Sequence, residues 1–170
     1  MIYKYCPKCG EKLQKKEIGD EGLIPFCISC EKPFFDNPVC VVGALVINEK
    51  NQILLLKSNY ISTTNWTLIW GYVKNGETLE AAIKREVLEE TNQQIKKLQY
   101  VTSYYYEPNQ LIMPGYIAYV DAQPLLLNSN EVDDMMWCKI EDVDKYIMRA
   151  NNMSGIHFDN SIAFINKRTE

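Results

Sequence analysis

The chain has 170 residues, of which 46% are hydrophobic, and its formal net charge is −4. This length can form one core with a small appended module, and the acidic balance argues against nucleic acid as a partner. The first residues lack a basic region followed by an apolar run, and the longest apolar stretches are too short to span a bilayer. We therefore expect a soluble cytoplasmic protein without a membrane partner.

Two C-x-x-C pairs stand near the start of the chain, Cys6 with Cys9 and Cys27 with Cys30, and 17 residues separate the pairs. In a reducing compartment this pattern indicates a metal site rather than disulfides. Four thiolates around Zn²⁺ form a closed, structural site whose metal supplies folding free energy to a short segment. Residues 1–36 are therefore predicted to form a zinc ribbon. A redox dithiol and free thiols are the alternative interpretations.

The rest of the chain predicts alternating strands and helices. Residues 39–58 are typical of two strands joined by a turn, 60–76 are interpreted as a loop, and 77–91 form the clearest helix. Further strands are predicted at 95–107, 111–122 and 135–140, and helices at 141–150 and 160–168. This order predicts an α+β fold.

Three further residues have simple interpretations. Cys40 and Cys138 lie in apolar surroundings and are expected to be core residues. His157 is the single histidine, and we interpret it as a surface or helix-flanking residue rather than a catalytic one.

Three glutamates, Glu86, Glu89 and Glu90, follow one another at helical spacing near the end of the predicted helix. Like charges three and four residues apart destabilise a helix. On a helical wheel they continue the apolar stripe of Leu79 and Ile83 instead of opposing it, which is unusual for a solvated face. Carboxylates in this position suit Mg²⁺ or Mn²⁺. An ordinary acidic helix end is an equally good interpretation of the wheel alone.

The residues around the glutamates resemble the Nudix box, G-x5-E-x7-R-E-U-x-E-E-x-G-U, where U is aliphatic. Gly71, Glu77 and the run from Arg85 to Glu90 match every position of the pattern in that part. Asn92 stands where the family has glycine, and Gln93 where it has an aliphatic residue. Because Asn is the second choice for a left-handed helix end, we expect Asn92 to close the helix.

The cysteine pairs, the NPVCVVGALV strand and the box together resemble the Nudix hydrolases that have an N-terminal zinc ribbon, among them NADH and FAD pyrophosphatases. This resemblance implies an α/β/α Nudix sandwich with a mixed sheet at residues 37–170. It also implies a Mg²⁺-dependent (or Mn²⁺-dependent) hydrolase that cleaves the diphosphate of NADH, FAD, ADP-ribose or a related nucleotide. Relatives of this kind are commonly dimers, so a homodimer is one candidate state.

The resemblance also implies roles for single residues. Glu86, Glu89 and Glu90 would hold the metal and supply catalysis, helped by the Gly71 carbonyl, while Glu77 and Arg85 would form a structural ion pair. Glu131, six residues before Trp137, is a candidate further metal ligand, in competition with Asp133 and Asp134.

The substrate is left open by the sequence. The S-Q-P-W-P-F-P-x-S motif of NADH pyrophosphatases is replaced by SYYYEPNQL, which puts NADH specificity in doubt. Tyr104, Tyr106 and Trp70 are candidate substrate-binding residues, with aromatic packing as the alternative. A Nudix-like binding module, whose zinc ribbon recruits nucleic acid or protein, is the competing hypothesis for the whole chain. The intact glutamate set favours the hydrolase.

Overall fold

The computed structural model describes residues 3–58, 65–127, 131–149 and 152–167. Contacts within the chain divide it into two compact units, Met1–Pro38 and Val39–Glu170. The assignment of a zinc ribbon to the first unit and of a hydrolase domain to the second stays a prediction at this point. None of the helices in the described ranges is long and apolar enough to cross a membrane.

The first unit contains a small antiparallel sheet of three strands in the order β1-β2-β3. Its strands are β1 (Gln14–Glu17), β2 (Leu23–Cys27) and β3 (Lys32–Pro33), with a 3₁₀ turn at Gly19–Glu21. Its buried apolar side chains, within the described part, are Cys6, Phe26 and Cys27. So small a core provides little hydrophobic stabilisation, and the unit needs another source.

The second unit is built on a sheet of six strands with two α-helices. Its elements are β4 (Val39–Ile47), β5 (Gln52–Lys57), β6 (Ile69–Tyr72), α1 (Leu79–Thr91), β7 (Ile95–Tyr106), β8 (Leu111–Val120), β9 (Asp134–Lys139) and α2 (Met153–Asn166), with 3₁₀ turns at Glu107–Asn109 and Ile140–Lys145. The strand order is β7-β8-β4-β5-β9, and β6 pairs with β4. Strands β4 and β8 run parallel while the other pairs are antiparallel, so the sheet is mixed as predicted.

The two helices lie on opposite faces of this sheet. Alternate residues of β4 belong to two different cores, since Val42 packs with Ile83 of α1 and Leu45 packs with Phe158 of α2. Because successive side chains of a strand point to opposite faces, each helix covers one face. The predicted α+β fold with an α/β/α sandwich is confirmed.

The structure corrects several predicted elements. The loop predicted at 60–76 contains strand β6, which pairs with β4 from Val41 to Ala44, while residues 60–64 lie outside the described residues. The helix predicted at 141–150 is a 3₁₀ turn that ends at Lys145. Helix α2 begins at Met153, seven residues before the predicted start at 160, because Asn152 caps it. Cys138 is buried as predicted, but Cys40 is only partly buried because it lies at the exposed start of β4.

Candidate active site

Strand β6 presents neighbouring residues to the two helices. A Cβ atom on Gly71 would lie 2.1 Å from Cδ of Glu86 in helix α1, so glycine is required there. Trp70 faces the other way, since its Nε1 donates to Ser154 Oγ of helix α2 at 3.0 Å. The pleat of the strand thus places Gly71 beside Glu86 and directs the Trp70 indole nitrogen toward helix α2.

Helix α1 holds the glutamates between two well-formed caps. At its start, Thr78 Oγ1 accepts a hydrogen bond from the Ala81 N–H at 3.2 Å. At its end, Asn92 adopts the left-handed conformation with φ of 57°, and its N–H donates to the Leu88 carbonyl. The expectation that Asn92 closes the helix is confirmed.

Gln93, the second departure from the expected pattern, is fully buried. Its amide Nε2 donates to the Thr91 and Gln123 carbonyls, and its Oε1 accepts from the Gln123 N–H at 2.8 Å. Buried polar groups are tolerated when they are bonded in this way. Gln93 therefore replaces an apolar contact with a link to the segment around Gln123.

The three glutamates differ in exposure. The side chain of Glu86 is 12% exposed and that of Glu89 is 54% exposed, while Glu90 is 9% exposed. Burial raises the pKa of Glu86 despite its bond to Arg85. Burial, together with the charges of Glu86, Glu131 and Glu89, raises the pKa of Glu90 to about 8. The fold has therefore buried a carboxylate among like charges, an arrangement typical of functional sites.

Arg85 ties the helix to the loop that precedes it. Its guanidinium donates to both carboxylate oxygens of Glu77, at 2.6 and 2.9 Å, and to the Tyr72 carbonyl at 3.0 Å. The Arg85 pairing holds the pKa of Glu77 at about 2. The same guanidinium contacts Glu86 at 2.6 Å and Glu89 at 3.2 Å. Arg85 thus orients two of the three glutamates.

These residues meet at a cleft of about 620 Å³. The residues Glu86, Glu89, Glu90 and Glu131 lie close enough for their charges to interact, and with the opposing Lys74 and Arg85 they form the charged end of the cleft. The remaining lining residues are largely apolar or bear hydroxyl groups: Leu56, Ser58, Thr67, Leu68, Trp70, Gly71, Tyr72 and Val132. The cleft can therefore hold a cation with a phosphate chain beside the carboxylates, and it offers less polar side chains to the rest of such a ligand.

The structure brings Glu131 to this charged end. Glu131 lines the cleft, and its charge is among the causes that raise the pKa of Glu90. The competing acids, Asp133 and Asp134, are not among the described lining residues. Glu131 thus keeps its place as a candidate ligand.

The predicted aromatic residues gather elsewhere. Trp70, Tyr104 and Tyr106 pack against the buried cluster of Val41, Leu111 and Met113, on the face of the sheet that α2 covers. Of the three, Trp70 also lines the cleft, and the two tyrosines do not. The structure therefore does not bring Tyr104 and Tyr106 to the glutamates.

His157 is a buried residue within α2, so the prediction of a surface or helix-flanking position is wrong. Its Nε2 lies 2.9 Å from the Tyr116 carbonyl and its Nδ1 lies 3.0 Å from Tyr104 Oη. Because a carbonyl only accepts, Nε2 bears the proton and the Tyr104 hydroxyl donates to Nδ1. Burial lowers the pKa of His157 to about 4, so the ring is a neutral anchor between α2 and the sheet.

Comparison with known families assigns this arrangement. The model of the NUDIX domain matches residues 38–156. The chain belongs to the Nudix family. The predicted Nudix hydrolase class is confirmed at the level of the family, and the matched range contains every residue of the cleft.

Curated relatives of this Nudix chain include the NAD-capped RNA hydrolase NudC of Escherichia coli strain K12. The two are 29% identical over 142 residues, which cover 83% of this chain and 53% of NudC. The NudC of Shigella boydii matches with the same identity and coverage. The chain therefore spans about half the length of these curated relatives.

Solved structures show the same fold. A NUDIX hydrolase from Nitrosomonas europaea superposes with a TM-score of 0.68 at 21% identity, covering 98% of this chain and 93% of that one. The NUDIX domain of Shewanella oneidensis NrtR, solved in complex with ADP ribose, superposes with a TM-score of 0.63 at 17% identity. The superposition covers 80% of this chain and 91% of the NrtR domain chain.

The cysteine cluster lies before the Nudix match. Sulfur atoms of Cys6, Cys9, Cys27 and Cys30 all lie within 4.8 Å of one another. Burial raises the pKa of the Cys27 thiol to about 12. Although burial acts to raise it, backbone N–H bonds from Cys9 and Lys8 lower the pKa of Cys6 to about 7. The cluster is compatible with a metal that holds all four thiolates.

Four residues of the site region had no signal in the sequence. Ser58 and Thr67 line the cleft with hydroxyl groups, and Lys74 lies at its charged end. Ser154 joins helix α2 to the cleft wall through Thr67 and Trp70. None of the four belongs to a spaced motif, so only the packing of the sheet reveals them.

Proposed function

We propose that the chain is a Mg²⁺-dependent pyrophosphohydrolase that cleaves the diphosphate of a nucleoside diphosphate linked to another group. The supporting observation is the convergence of Glu86, Glu89, Glu90 and Glu131 at one end of a single cleft, with Glu90 buried among the other charges. A divalent cation bound between these carboxylates would offset their repulsion.

The donor set fits a hard divalent cation. Glu86, Glu89 and Glu90 would hold Mg²⁺ or Mn²⁺ through carboxylate oxygens, with the Gly71 carbonyl and Glu131 as further candidate ligands. Gly71 is close enough to Glu86 for its backbone to join the same site. When bound, the metal would neutralise the diphosphate and lower the pKa of a bound water.

The chain's own residues then have separate tasks. Arg85, held by Glu77, orients Glu86 and Glu89 through hydrogen-bonded ion pairs. The oxygen of water bonds to one phosphorus of the diphosphate, and the bond from that phosphorus to the bridging oxygen breaks. A glutamate of the cluster, or Glu131, accepts the proton of the water. The products are a mononucleotide and a phosphorylated second group.

The less polar residues that line the cleft support a nucleotide derivative as substrate. Leu56, Leu68 and Val132 offer apolar contact, and Ser58 and Thr67 offer hydroxyl groups for hydrogen bonds. The ADP ribose bound to the NrtR domain and the NAD cap named for NudC both contain a diphosphate between two ribosides. We therefore place this chain's substrates among dinucleotides and their derivatives, NADH, FAD and ADP-ribose.

We further propose that the first unit is a zinc ribbon. Tetrahedral Zn²⁺ with bonds of about 2.3 Å sets sulfur atoms about 3.8 Å apart. The distances from Cys6 to Cys30 and from Cys9 to Cys27 are 3.9 and 3.5 Å, which fit that geometry. With so few buried side chains, the unit depends on this metal for its stability.

The test is a hydrolysis screen with Mg²⁺, read as mononucleotide release from NADH, FAD, ADP-ribose, diadenosine polyphosphates and NAD-capped RNA. We expect release from at least one of them and a loss of about a hundredfold or more in Glu89→Gln. Glu80→Gln is the matched control, because Glu80 lies on the exposed first turn of the same helix, outside the cleft. Binding without hydrolysis, unchanged in Glu89→Gln, would support the binding-module alternative instead.

A further inference from the structure

The hydroxyl of Ser154, in the first turn of helix α2, is buried and bonded on all sides. Its Oγ lies 3.1 Å from the Leu68 N–H, 3.0 Å from Trp70 Nε1 and 2.7 Å from Thr67 Oγ1. These three partners lie between residues 67 and 70, immediately before and at the start of β6, and we call this stretch the β6 segment. One oxygen therefore joins helix α2 to a whole stretch of the neighbouring strand.

The directions of these bonds follow from the partners. The backbone N–H of Leu68 and the indole N–H of Trp70 only donate, so Ser154 Oγ accepts twice. Its own proton goes to Thr67 Oγ1, and the Thr67 hydroxyl donates to the Leu68 carbonyl at 3.0 Å. The chain of hydrogen bonds is complete, and removing the Ser154 hydroxyl leaves buried donors unsatisfied.

The position of the Trp70 ring is restricted by its contacts with neighbouring residues. It crosses Gly43 so closely that a Cβ atom there would lie 2.1 Å from the ring, and it meets His157 edge-on at 5.6 Å. Trp70 is thereby fixed from three sides, by Gly43 below, His157 beside it and Ser154 at its nitrogen. Its backbone neighbour is Gly71, which faces Glu86.

Thr67, Leu68, Trp70 and Gly71 all line the cleft, whereas Ser154 does not. We infer that Ser154 is a positioning residue, which sets this wall of the cleft from helix α2. This inference rests on the proposed function, because the wall matters only if the cleft binds a nucleotide. Its effect is on substrate binding, since the glutamates themselves are held by helix α1 and Arg85.

Ser154→Ala tests the inference, with Ser161→Ala as the matched control. Ser161 lies in the same helix and is buried, and its Oγ has no hydrogen-bond partner within the described part of the chain. We expect Ser154→Ala to raise KM about tenfold with kcat changed less than about threefold, because the loss of its three hydrogen bonds loosens this wall of the cleft. Ser161→Ala should leave both constants near those of the wild type.

A spectroscopic signature separates this role from general destabilisation. The chain has three tryptophans, and Trp70→Phe assigns the Trp70 indole N–H resonance in protein labelled with ¹⁵N-tryptophan. We expect that resonance to move upfield in Ser154→Ala and to stay in Ser161→Ala. Trp70→Phe removes the same hydrogen bond and leaves every residue of α2 unchanged, so it should also raise KM even if Ser154→Ala does not fold.

Two results would overturn the inference. The first is a Ser154→Ala variant whose Trp70 resonance and KM are both unchanged. If Ser154→Ala does not fold, a wild-type KM in Trp70→Phe takes its place. The other is an equal loss in Ser161→Ala. A wild-type protein without hydrolytic activity would refute the proposed function. The hydrogen bond from Trp70 Nε1 to Ser154 could still be measured in that case, because the indole resonance needs no substrate.

Discussion

Glu90 is the least exposed of the three glutamates, and the fold opposes its ionisation. Its pKa is about 8 in the folded protein, against 4.5 for an ordinary glutamate. Between those two values the folded protein keeps a proton that the unfolded chain has lost. The stability that this proton contributes is full below pH 4.5 and is lost as the pH rises through 8.

Glu90→Gln should therefore be more stable than the wild type in Mg²⁺-free buffer, increasingly so at higher pH. We expect the free energy of unfolding to rise by up to about 5 kcal/mol above pH 8 and by much less below pH 4.5, since glutamine mimics the protonated acid. Urea denaturation at the two pH extremes measures this difference. Glu80→Gln provides the control, and an advantage of Glu90→Gln that does not depend on pH would contradict the explanation.

Arg85 is the residue on which the arrangement of the site depends most, and Lys cannot replace its fork of donors. We expect Arg85→Lys to lower the free energy of unfolding by about 1 to 3 kcal/mol and to reduce kcat, because Glu86 and Glu89 lose their orientation. Arg149→Lys is a matched control. Its ion pairs with Asp144 and Asp159 are exposed, so the change should cost less than about 1 kcal/mol. Equal losses in the two variants would refute the special role of Arg85.

At the scale of the element, helix α2 is attached to the sheet by polar anchors inside an apolar face. Ser154 binds the β6 segment, and His157 joins β8 through Tyr116 and β7 through Tyr104. Helix α1 shows the opposite design, with apolar residues on the sheet and its carboxylates toward the cleft. Helix α1 thus carries the carboxylates of the cleft, and helix α2 is bonded to the sheet.

His157 makes the attachment of α2 sensitive to acid. Its folded pKa of about 4 lies below the ordinary 6.5, so the unfolded chain binds the proton first. Stability from this group is full above pH 6.5 and falls as the pH is lowered toward 4, by up to about 3 kcal/mol. Tryptophan fluorescence during urea unfolding should show this slope in the wild type, and His157→Gln should lack it. If the free energy of unfolding depends on pH equally in both proteins, titratable groups other than His157 cause that dependence.

The elements and the site were predicted from the sequence to different degrees. Helix α1 and its cap at Asn92 follow from local spacing and residue type, and the structure agrees with both. Strand β6 has only four residues and gains its strand character by pairing with β4, which no local pattern reports. Helix α2 begins seven residues before its predicted start, in a turn that contains Gly155, a poor helix former, and that Asn152 caps. His157 was misplaced for a related reason, since its partners lie 41 and 53 residues away in sequence.

The whole molecule consists of two units with different sources of stability. The unit Val39–Glu170 has an apolar core on each face of its sheet, while the described part of Met1–Pro38 has few buried side chains and four clustered cysteines. We therefore expect the first unit, and not the second, to depend on zinc.

Removal of zinc should make the first unit sensitive to protease while the second stays folded. Elemental analysis should find one Zn²⁺ per chain, lost in Cys9→Ser and kept in Cys40→Ser, because Cys40 lies outside the cluster. All three tryptophans lie in the second unit, so their fluorescence reports its unfolding alone. A chain without zinc, or a second unit that unfolds when zinc is removed, would contradict this division.

The central claim is that the glutamate cluster of the cleft catalyses diphosphate hydrolysis with a divalent cation. The most direct measurement is mononucleotide release from the best substrate of the screen as Mg²⁺ is titrated, for the wild type, Glu89→Gln and Glu80→Gln. The claim predicts release that requires Mg²⁺, a loss of about a hundredfold or more in Glu89→Gln and wild-type rates in Glu80→Gln. Hydrolysis that continues without a divalent cation, or that Glu89→Gln leaves unchanged, would contradict it.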